Sequence, residues 1–278
     1  MCSIISFLLF DLQKITTLLT KLPNRNSTSP DQIPYILLKN CAYFIGPTIT
    51  ELFRLILDEG QIPSLWRVSN IIPVYKKGDK SLPSNYRPIS LTCCLSRFFE
   101  RIIVDHCTQF LLKKQFFSDE QFGFLQKRST NLNLITTLHE IVQALSEDKQ
   151  VDVIYTDMYK AFDSVPHDLL LKKLFNCGIK GKIFRFFQNF LKDRKFRVSI
   201  NGTFSDSFPI HKSVPQGSVV GPFLFLIFIN DVANSLPKEI RFKMFADDLK
   251  LVGIHENDTQ TDILQDGLNN LLKWCNLN

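Results

Sequence analysis

The sequence predicts an α+β fold in which a small antiparallel sheet packs on helices. Two observations lead to this fold class. Several segments carry apolar residues at the spacing of an amphipathic helix, and others alternate apolar with polar residues as half-buried strands do. Hydrophobic residues make up 45% of the 278 positions, which is enough for one large core and argues against a disordered chain.

Helices dominate the predicted N-terminal half. Residues 1–22 are predicted to be helical, and the Pro-, Asn- and Ser-rich residues 23–34 are typical of a loop. Two later helices each gather their apolar residues on one face, which we expect to point toward the core. These faces consist of Phe98, Phe99, Ile102, Ile103, His106 and Phe110, and of Leu134, Ile135, Leu138, Ile141, Val142 and Leu145.

A loop is predicted between these two helices, at residues 121–130, with Ser129 or Thr130 capping the second helix. The following segment, VDVIYTD at 151–157, alternates by parity and predicts a strand that ends in Asp157. A helix is then predicted after Pro166 and through Phe175, and Gly178 is expected to end it. The next helix is expected to bury Ile183, Phe186, Phe187 and Phe190.

Two hairpins are predicted in the C-terminal part of the chain. Asn201 and Gly202 supply the positive φ angles of a tight turn between residues 196–200 and 203–210. Residues 241–253 predict two short strands around a turn at Ala246 to Asp248. A buried helix is expected at 223–229, and a final helix carries Leu264, Leu268, Leu271, Leu272 and Cys275.

Charge and cysteine content restrict the function only weakly. Lys and Arg exceed Asp and Glu by 33 to 27, which suits a polyanionic partner but is common in proteins that bind none. The seven cysteines contain no CxxC pair, so we expect a reducing, intracellular location and no zinc site. The apolar runs are too short for a membrane span, and no signal peptide or membrane partner is expected.

Three aspartates form a candidate metal site. Consecutive residues of a strand point to opposite faces, so Asp247 and Asp248 can face one site only if a tight turn holds them. Adjacent carboxylates repel each other, and a divalent cation would relieve that repulsion, with Asp157 as a third ligand. The alternative is that Asp247 and Asp248 are ordinary turn residues and that Asp157 is a helix cap.

Six segments in order resemble the motifs of reverse transcriptases from non-LTR retrotransposons of the LINE and jockey-like kind. Three are similar to finger motifs: IPVYKKGDK at 72–80, NYRPISL at 85–91 and QFGFLQKRST at 121–130. Three are similar to palm motifs: DMYKAFDSV at 157–165, PQGSVVGP at 215–222 and FADD at 245–248. The resemblance runs from about residue 30 to the end of the sequence.

The resemblance implies a right-hand polymerase fold. Residues 1–30 are then an N-terminal helix and linker, residues 31–148 the fingers with the first palm helix, and residues 149–278 the palm, with finger elements within 166–210. The implied activity is RNA-directed DNA synthesis on an RNA template, from a DNA primer and deoxynucleoside triphosphates. Asp157, Asp247 and Asp248 are the implied catalytic residues, which bind two Mg²⁺ ions, with Mn²⁺ as a substitute.

The resemblance also implies nucleotide-binding residues. Phe162 occupies the position of a steric gate, whose ring would clash with a ribose 2′-OH. Lys76 and Arg87 match the positions of a triphosphate clamp, and Lys77 is an alternative to Lys76. Gln216 and Gly217 match a loop beside the nascent base pair, where glycine lets the backbone approach the nucleotide.

Further basic residues are predicted to contact nucleic acid, although an ordinary solvated surface is the alternative for each cluster. They are Lys77, Lys127, Arg128, Lys195 and Arg197. Asp163 is a fourth acidic residue in the same motif as Asp157. We interpret it as a cap near the start of the helix after Pro166.

Some features depart from the family pattern. Residues 28–34 lack an expected glycine, and Leu125 stands where a basic residue is usual, so we expect weaker template contacts. We also expect the thumb and endonuclease domains to be absent. The leading hypothesis is an RNA-directed DNA polymerase, and the second is a truncated remnant that binds nucleic acid without chemistry. A two-metal nuclease shares the carboxylates but leaves Arg87 and Phe162 unexplained.

Overall fold

The structure is a computed structural model that describes residue 5 and residues 10–26, 29–256 and 261–278. The helices of these residues are α1 (Leu12–Thr20), α2 (Tyr35–Asn40), α3 (Ala42–Glu59), α4 (Cys94–Lys113), α5 (Thr130–Ser146), α6 (Ala161–Ser164), α7 (His167–Asn176), α8 (Gly181–Leu191), α9 (Val220–Ile229) and α10 (Thr261–Leu277). The strands are β1 (Val68–Tyr75), β2 (Tyr86–Leu91), β3 (Gln150–Thr156), β4 (Lys195–Ile200), β5 (Thr203–Phe204), β6 (Phe208–Pro209), β7 (Arg241–Phe245) and β8 (Asp248–His255). The mixed helix and sheet content confirms the α+β prediction.

The N-terminal helix is shorter than predicted. It begins after Asp11, whose side chain accepts a hydrogen bond from the Lys14 amide at 2.8 Å and so caps the helix. Upstream, Ile5 pairs with Ile179 in an isolated bridge, while residues 1–4 and 6–9 lie outside the described residues. The predicted loop at 23–34 is confirmed where it is described, and residues 27–28 lie outside that part.

The strands form two sheets. In the three-stranded sheet, the order is β3-β8-β7 and both pairings are antiparallel, as predicted. The second sheet has the order β2-β1-β4-β5, with β6 also paired to β4. Its β1 and β4 strands run parallel, which the sequence pattern did not predict. The Asn201–Gly202 turn is confirmed, because φ is 49° at Asn201 and 81° at Gly202.

One apolar cluster extends from Ile5 to Trp274 and connects the helices to the three-stranded sheet. Helix α9 crosses this cluster, and its side chains are buried on nearly every side, which explains its continuous hydrophobic sequence. The predicted inward face of α8 is confirmed by the burial of Ile183, Phe186 and Phe187. No helix of the described residues has the length and hydropathy needed to span a membrane.

The predicted orientation of α5 is wrong. Leu134, Ile135 and Leu138 are 59%, 64% and 61% exposed, so the apolar stripe faces away from the core. The face that packs inward instead carries Asn133 and Thr137, which are buried. This orientation arises because α5 packs against the three-stranded sheet, where the buried Lys243 of β7 and Lys250 of β8 require polar partners.

The final helix is confirmed, and the structure shows which of its residues face the core. Leu264 and Leu271 are buried. Leu272 is 62% exposed and Cys275 is also exposed, whereas Trp274 is 8% exposed and packs edge-on against Phe228. The indole ring therefore lies on the side of α10 that faces the core.

Candidate active site

The three candidate aspartates lie at one end of the three-stranded sheet. The β7–β8 hairpin turns through only two residues, Ala246 and Asp247, and is closed by the pairing of Phe245 with Asp248. On the other side of β8, Thr156 pairs with Leu249, so the next residues toward the end of the sheet are Asp157 and Asp248. The predicted strand end and the predicted turn are both confirmed, and together they bring the aspartates into proximity.

Asp247 is half-buried, whereas Asp157 and Asp248 are exposed. Burial raises the pKa of Asp247, and the negative charges of Asp248 and Asp157 raise that pKa further, against a backbone hydrogen bond that lowers it. Asp247 is therefore close enough to Asp248 and Asp157 to be repelled by their charges. A bound cation would remove this repulsion.

The donor set fits a hard divalent cation. Within the described residues, no three His, Cys, Asp or Glu side chains converge as a ready-made metal cluster. Mg²⁺ nevertheless needs only one or two protein carboxylates, because water and substrate phosphate complete its shell. The aspartates at the turn and at the end of β3 could supply one or two carboxylates to such an ion, even though the three side chains do not already surround a common point.

A polar network supports the aspartate hairpin from the side of α5. Lys243 on β7 lies opposite Lys250 on β8 in the strand register. The Lys243 ammonium contacts carboxylates of Glu120 and Glu140 at 2.6 and 2.7 Å. Burial opposes its charge, but these two carboxylates together raise the pKa of Lys243 above its ordinary value.

Lys250 is held differently. Its ammonium donates to the Asn133 side-chain oxygen at 3.2 Å and to the Thr137 hydroxyl at 3.0 Å. Burial lowers the pKa of Lys250, and the positive charge of Lys243 lowers it further. Sequence reasoning missed this network, although two lysines in otherwise apolar strands were a signal for it.

Phe162 lies in the same motif as Asp157, and neighbouring rings hold its side chain in place. Its ring stacks on Phe225 of α9 with centroids 4.3 Å apart and lies edge-on to Phe124 at 6.2 Å. The side chain remains only half-buried. The steric-gate role remains a prediction, and this packing shows that the ring is held in place.

The interpretation of Asp163 as a helix cap is wrong. The N-cap of α7 is Pro166, which has no side-chain capping bond. The Asp163 carboxylate instead accepts a hydrogen bond from the Gln216 side-chain amide at 3.1 Å. Asp163 therefore connects the segment after Asp157 to the loop that contains Gln216.

The loop at Gln216 and Gly217 is fixed against β2. The Ser90 amide donates to the Gln216 carbonyl at 3.0 Å. Gly217 has φ of 102°, and a Cβ there would lie 2.6 Å from the Ser90 carbonyl oxygen. Gly217 is thus required because its backbone lies against β2. Contact between this loop and a nucleotide remains a prediction.

Glu100 of α4 holds the residues that follow this loop. Its carboxylate is buried and accepts hydrogen bonds from the amides of Val219 and Val220 at 2.9 and 3.3 Å, and from the Ser96 hydroxyl at 2.9 Å. These amides belong to the N-terminus of α9, where unpaired donors favour an anion. Glu100 lies in none of the motifs that the sequence singles out, so its role became visible only in the structure.

The predicted triphosphate cations lie on the other sheet. Lys76, Lys77 and Arg87 are exposed at the loop end of the β1–β2 hairpin. The tip beyond them is ordered by the Tyr75 hydroxyl, which donates to the Gly78 carbonyl at 2.7 Å, and by a ring contact with Tyr86.

Of the remaining basic residues predicted to contact nucleic acid, two are exposed and two make hydrogen bonds within the protein. Lys127 and Lys195 are exposed. Arg197 donates to the Asn70 side chain at 2.8 Å and lies over a phenylalanine ring. Arg128 donates to three main-chain carbonyls of residues 118–121, so its observed contacts stabilise the loop.

An apolar groove of about 410 Å³ opens beside Asp157, between α9 and α10. Its walls include Met158, Phe225 and Trp274, and none of the described residues that line it is a lysine or an arginine. A triphosphate would find no cation there. The exposed cations of the β1–β2 hairpin are therefore the better candidates for phosphate contacts.

A comparison with known families identifies the family of this chain. The family profile described as "Reverse transcriptase (RNA-dependent DNA polymerase)" matches residues 74–278. This chain belongs to the reverse transcriptase family. The match includes Asp157, Asp247, Asp248 and most of the other predicted motifs, and reverse transcriptases as a family use divalent metal ions.

Curated relatives place the similarity among reverse transcriptases of retrotransposons. The chain is 29% identical over 277 residues to the "Probable RNA-directed DNA polymerase from transposon BS" of Drosophila melanogaster. It is 28% identical over 280 residues to the "RNA-directed DNA polymerase from mobile element jockey" of the same organism. Each alignment covers 95% of this chain and 30% of the relative, so the chain spans about a third of their length.

A more divergent relative belongs to a different element. The chain is 27% identical over 217 residues to the "Retrovirus-related Pol polyprotein from type-1 retrotransposable element R2" of Popillia japonica, covering 74% of this chain and 30% of that protein. The resemblance to non-LTR retrotransposon reverse transcriptases is thus confirmed.

Proposed function

We propose that this chain performs RNA-directed DNA synthesis, adding deoxynucleotides to the 3′-OH of a DNA primer paired with an RNA template. The observation that carries the proposal is the proximity of Asp157, Asp247 and Asp248 at one end of the three-stranded sheet, in a member of the reverse transcriptase family. The names of two relatives describe RNA-directed DNA polymerases.

The aspartates are proposed to hold two Mg²⁺ ions, with Mn²⁺ as a substitute. When bound, such ions lower the pKa of the attacking hydroxyl and stabilise charge on the leaving pyrophosphate. The chain itself contributes rigidity, because Asp247 lies in a two-residue turn and Asp157 follows a strand paired along its length. Fixed carboxylates need little rearrangement when substrate arrives.

Nucleotide selection is assigned to the fixed side chains around the aspartates. Phe162 excludes a ribose 2′-OH, and its stack on Phe225 prevents the ring from moving aside. Gln216 and Gly217 line the nascent base pair from a loop fixed to β2. Arg87, with Lys76 or Lys77, contacts the triphosphate.

Template and primer contacts are assigned to exposed basic residues. Lys77, Lys127 and Lys195 present free surface for phosphates, whereas Arg128 and Arg197 act mainly by ordering the backbone near them. In this proposal, residues 31–148 form the fingers with the first palm helix and residues 149–278 the palm. Finger elements return within residues 166–210.

The decisive experiment is template-dependent incorporation of dTTP on poly(rA) primed with oligo(dT), in Mg²⁺ and separately in Mn²⁺. The expected result is extension by the wild-type chain and a loss of more than roughly 100-fold in Asp247→Asn, because a ligand carboxylate matters more than the residues that support it. Asp266→Asn, an exposed aspartate on α10, is the matched control and should extend normally.

Two outcomes would contradict the proposal. Extension that is equal in wild type and Asp247→Asn would show that the aspartates do not carry the chemistry. Salt-sensitive binding of RNA without incorporation in either metal would instead favour a protein that binds nucleic acid without chemistry.

A further inference from the structure

Gln121 contacts the turn that carries Asp247 and Asp248, although it is distant in sequence. Its side chain is 2% exposed. The carboxamide oxygen accepts hydrogen bonds from the Ala246 amide at 2.9 Å and the Gly123 amide at 2.8 Å. The carboxamide nitrogen points back to the Ala246 carbonyl at 3.5 Å. One side chain thus contacts both main-chain polar groups of Ala246.

Ala246 needs such support. Its φ of 57° lies in the left-handed region, which is unfavourable for residues with a Cβ. Residues in this conformation persist when their surroundings hold them there, and they are frequent at functional sites. The strained residue immediately precedes the two aspartates, so its conformation sets the direction in which the turn presents them.

The segment around Gln121 is itself fixed along the free edge of β7. The Phe122 amide donates to the Met244 carbonyl, and the Met244 amide donates to the Glu120 carbonyl, both at 2.8 Å. Gly123 approaches so closely that a Cβ there would lie 2.4 Å from the Ala246 nitrogen. Residues 120–123 therefore act as a short additional strand that ends at the aspartate turn.

Arg128 fixes the base of this segment. Its guanidinium donates to the carbonyls of Ser118 and Asp119, each at 2.8 Å, and to the carbonyl of Gln121 at 2.6 Å. Charge-assisted bonds of this kind are stronger than neutral ones. The main chain that carries Gln121 is thus fixed by contacts that do not involve Ala246.

We propose that Gln121 is a positioning residue, whose carboxamide holds the Ala246 peptide and thereby the direction of the Asp247–Asp248 pair. Gln121 acts through the main chain of the turn and touches no reacting atom. Its effect on catalysis rests on the proposed function, whereas its hold on the turn does not. Two independent measurements therefore test it.

The first measurement is hydrogen exchange of the Ala246 amide in the wild type, Gln121→Ala and Gln121→Glu. Alanine removes the acceptor, so exchange of this amide should accelerate roughly fivefold or more. Glutamate keeps an acceptor oxygen at the same reach and should retain most of the protection. Equal exchange in all three proteins would overturn the proposal.

The second measurement is steady-state incorporation on the primed poly(rA) template. Gln121→Ala should lower kcat roughly 10–100-fold, as expected for a residue that orients metal ligands, with little change in KM for dTTP. Leu174→Ala, which removes a buried side chain of α7 away from the hairpin, is the control for general loss of stability.

The results separate the two proposals. If Leu174→Ala reproduced both the kcat loss and the faster Ala246 exchange, Gln121 would have only a general structural role. If the wild-type chain showed no incorporation at all, the proposed function would fail. Faster Ala246 exchange in Gln121→Ala would still support the positioning role, and unchanged exchange would overturn it.

Discussion

At the scale of single residues, two glycines with positive φ differ in what an added Cβ would meet. Gly202 has φ of 81° in the β4–β5 turn, and nothing lies within 4 Å of a Cβ built on it. Gly217 has φ of 102°, and the Ser90 carbonyl oxygen would lie 2.6 Å away. The first position requires only conformational freedom, whereas the second also requires space.

We therefore expect Gly217→Ala to lower the free energy of unfolding by roughly 2–4 kcal/mol, from left-handed strain plus overpacking. Gly202→Ala should lower it by only about 1 kcal/mol, from strain alone. Denaturant unfolding of both variants measures the difference. Equal losses would show that the contact with Ser90 does not constrain this loop.

At the scale of elements, α5 shows that helical periodicity identifies an apolar face but not what that face meets. The stripe that includes Leu138 and Val142 is exposed, and the opposite face supplies polar partners to Lys243 and Lys250. Burying two lysines without hydrogen-bond partners would cost more than leaving several leucines in water. The strands therefore determine the orientation of the helix.

This orientation gives a prediction about stability. Leu138→Ala on α5 should change the free energy of unfolding by no more than about 0.5 kcal/mol, because its side chain is 61% exposed. Leu224→Ala on α9 should cost roughly 2–5 kcal/mol, because that side chain is fully buried. A large loss in Leu138→Ala, measured by denaturant unfolding at low protein concentration, would contradict the exposed face.

At the scale of the whole molecule, the two halves of the sequence share one core. Glu100 on α4 illustrates this connection, since it accepts hydrogen bonds from amides 119 and 120 residues further along the chain. Burial raises the pKa of Glu100, while the Ser96 hydroxyl, the charge of Arg194 and the two amides oppose that shift. The net effect is a raised pKa, so the carboxyl group of Glu100 keeps its proton at pH values above its ordinary pKa of 4.5.

The sign of the pH dependence follows from this raised pKa. Between pH 4.5 and the raised pKa, the folded protein holds a proton that the unfolded chain has lost, so stability decreases as pH increases. One such group contributes up to about 1.4 kcal/mol per pH unit. Glu100→Gln should remove this slope, as measured by denaturant unfolding at several pH values above 4.5.

Glu239→Gln provides the matched control for this experiment, because Glu239 is an exposed glutamate. It should keep the wild-type slope. If Glu100→Gln also kept that slope, the carboxyl group of Glu100 would titrate alike in the folded and unfolded chains, contrary to its burial.

The sequence by itself determined the features that depend on neighbouring residues. Alternation placed Asp157 at the end of a strand, and Asn201 with Gly202 identified a tight turn, because strand periodicity and turn chemistry are local properties. Motif order identified the reverse transcriptase family, which the family profile confirmed. The short turn before Asp248 was also predictable from its apolar flanks.

Only the tertiary structure decided which distant groups meet. The parallel pairing of β1 with β4 joins segments more than a hundred residues apart, and no local pattern specifies it. The same is true of the hydrogen bond from Gln216 to Asp163 and of the contact between Gln121 and Ala246. A buried polar group needs a partner, but its own sequence does not say which one, because packing of the whole chain chooses among all those available.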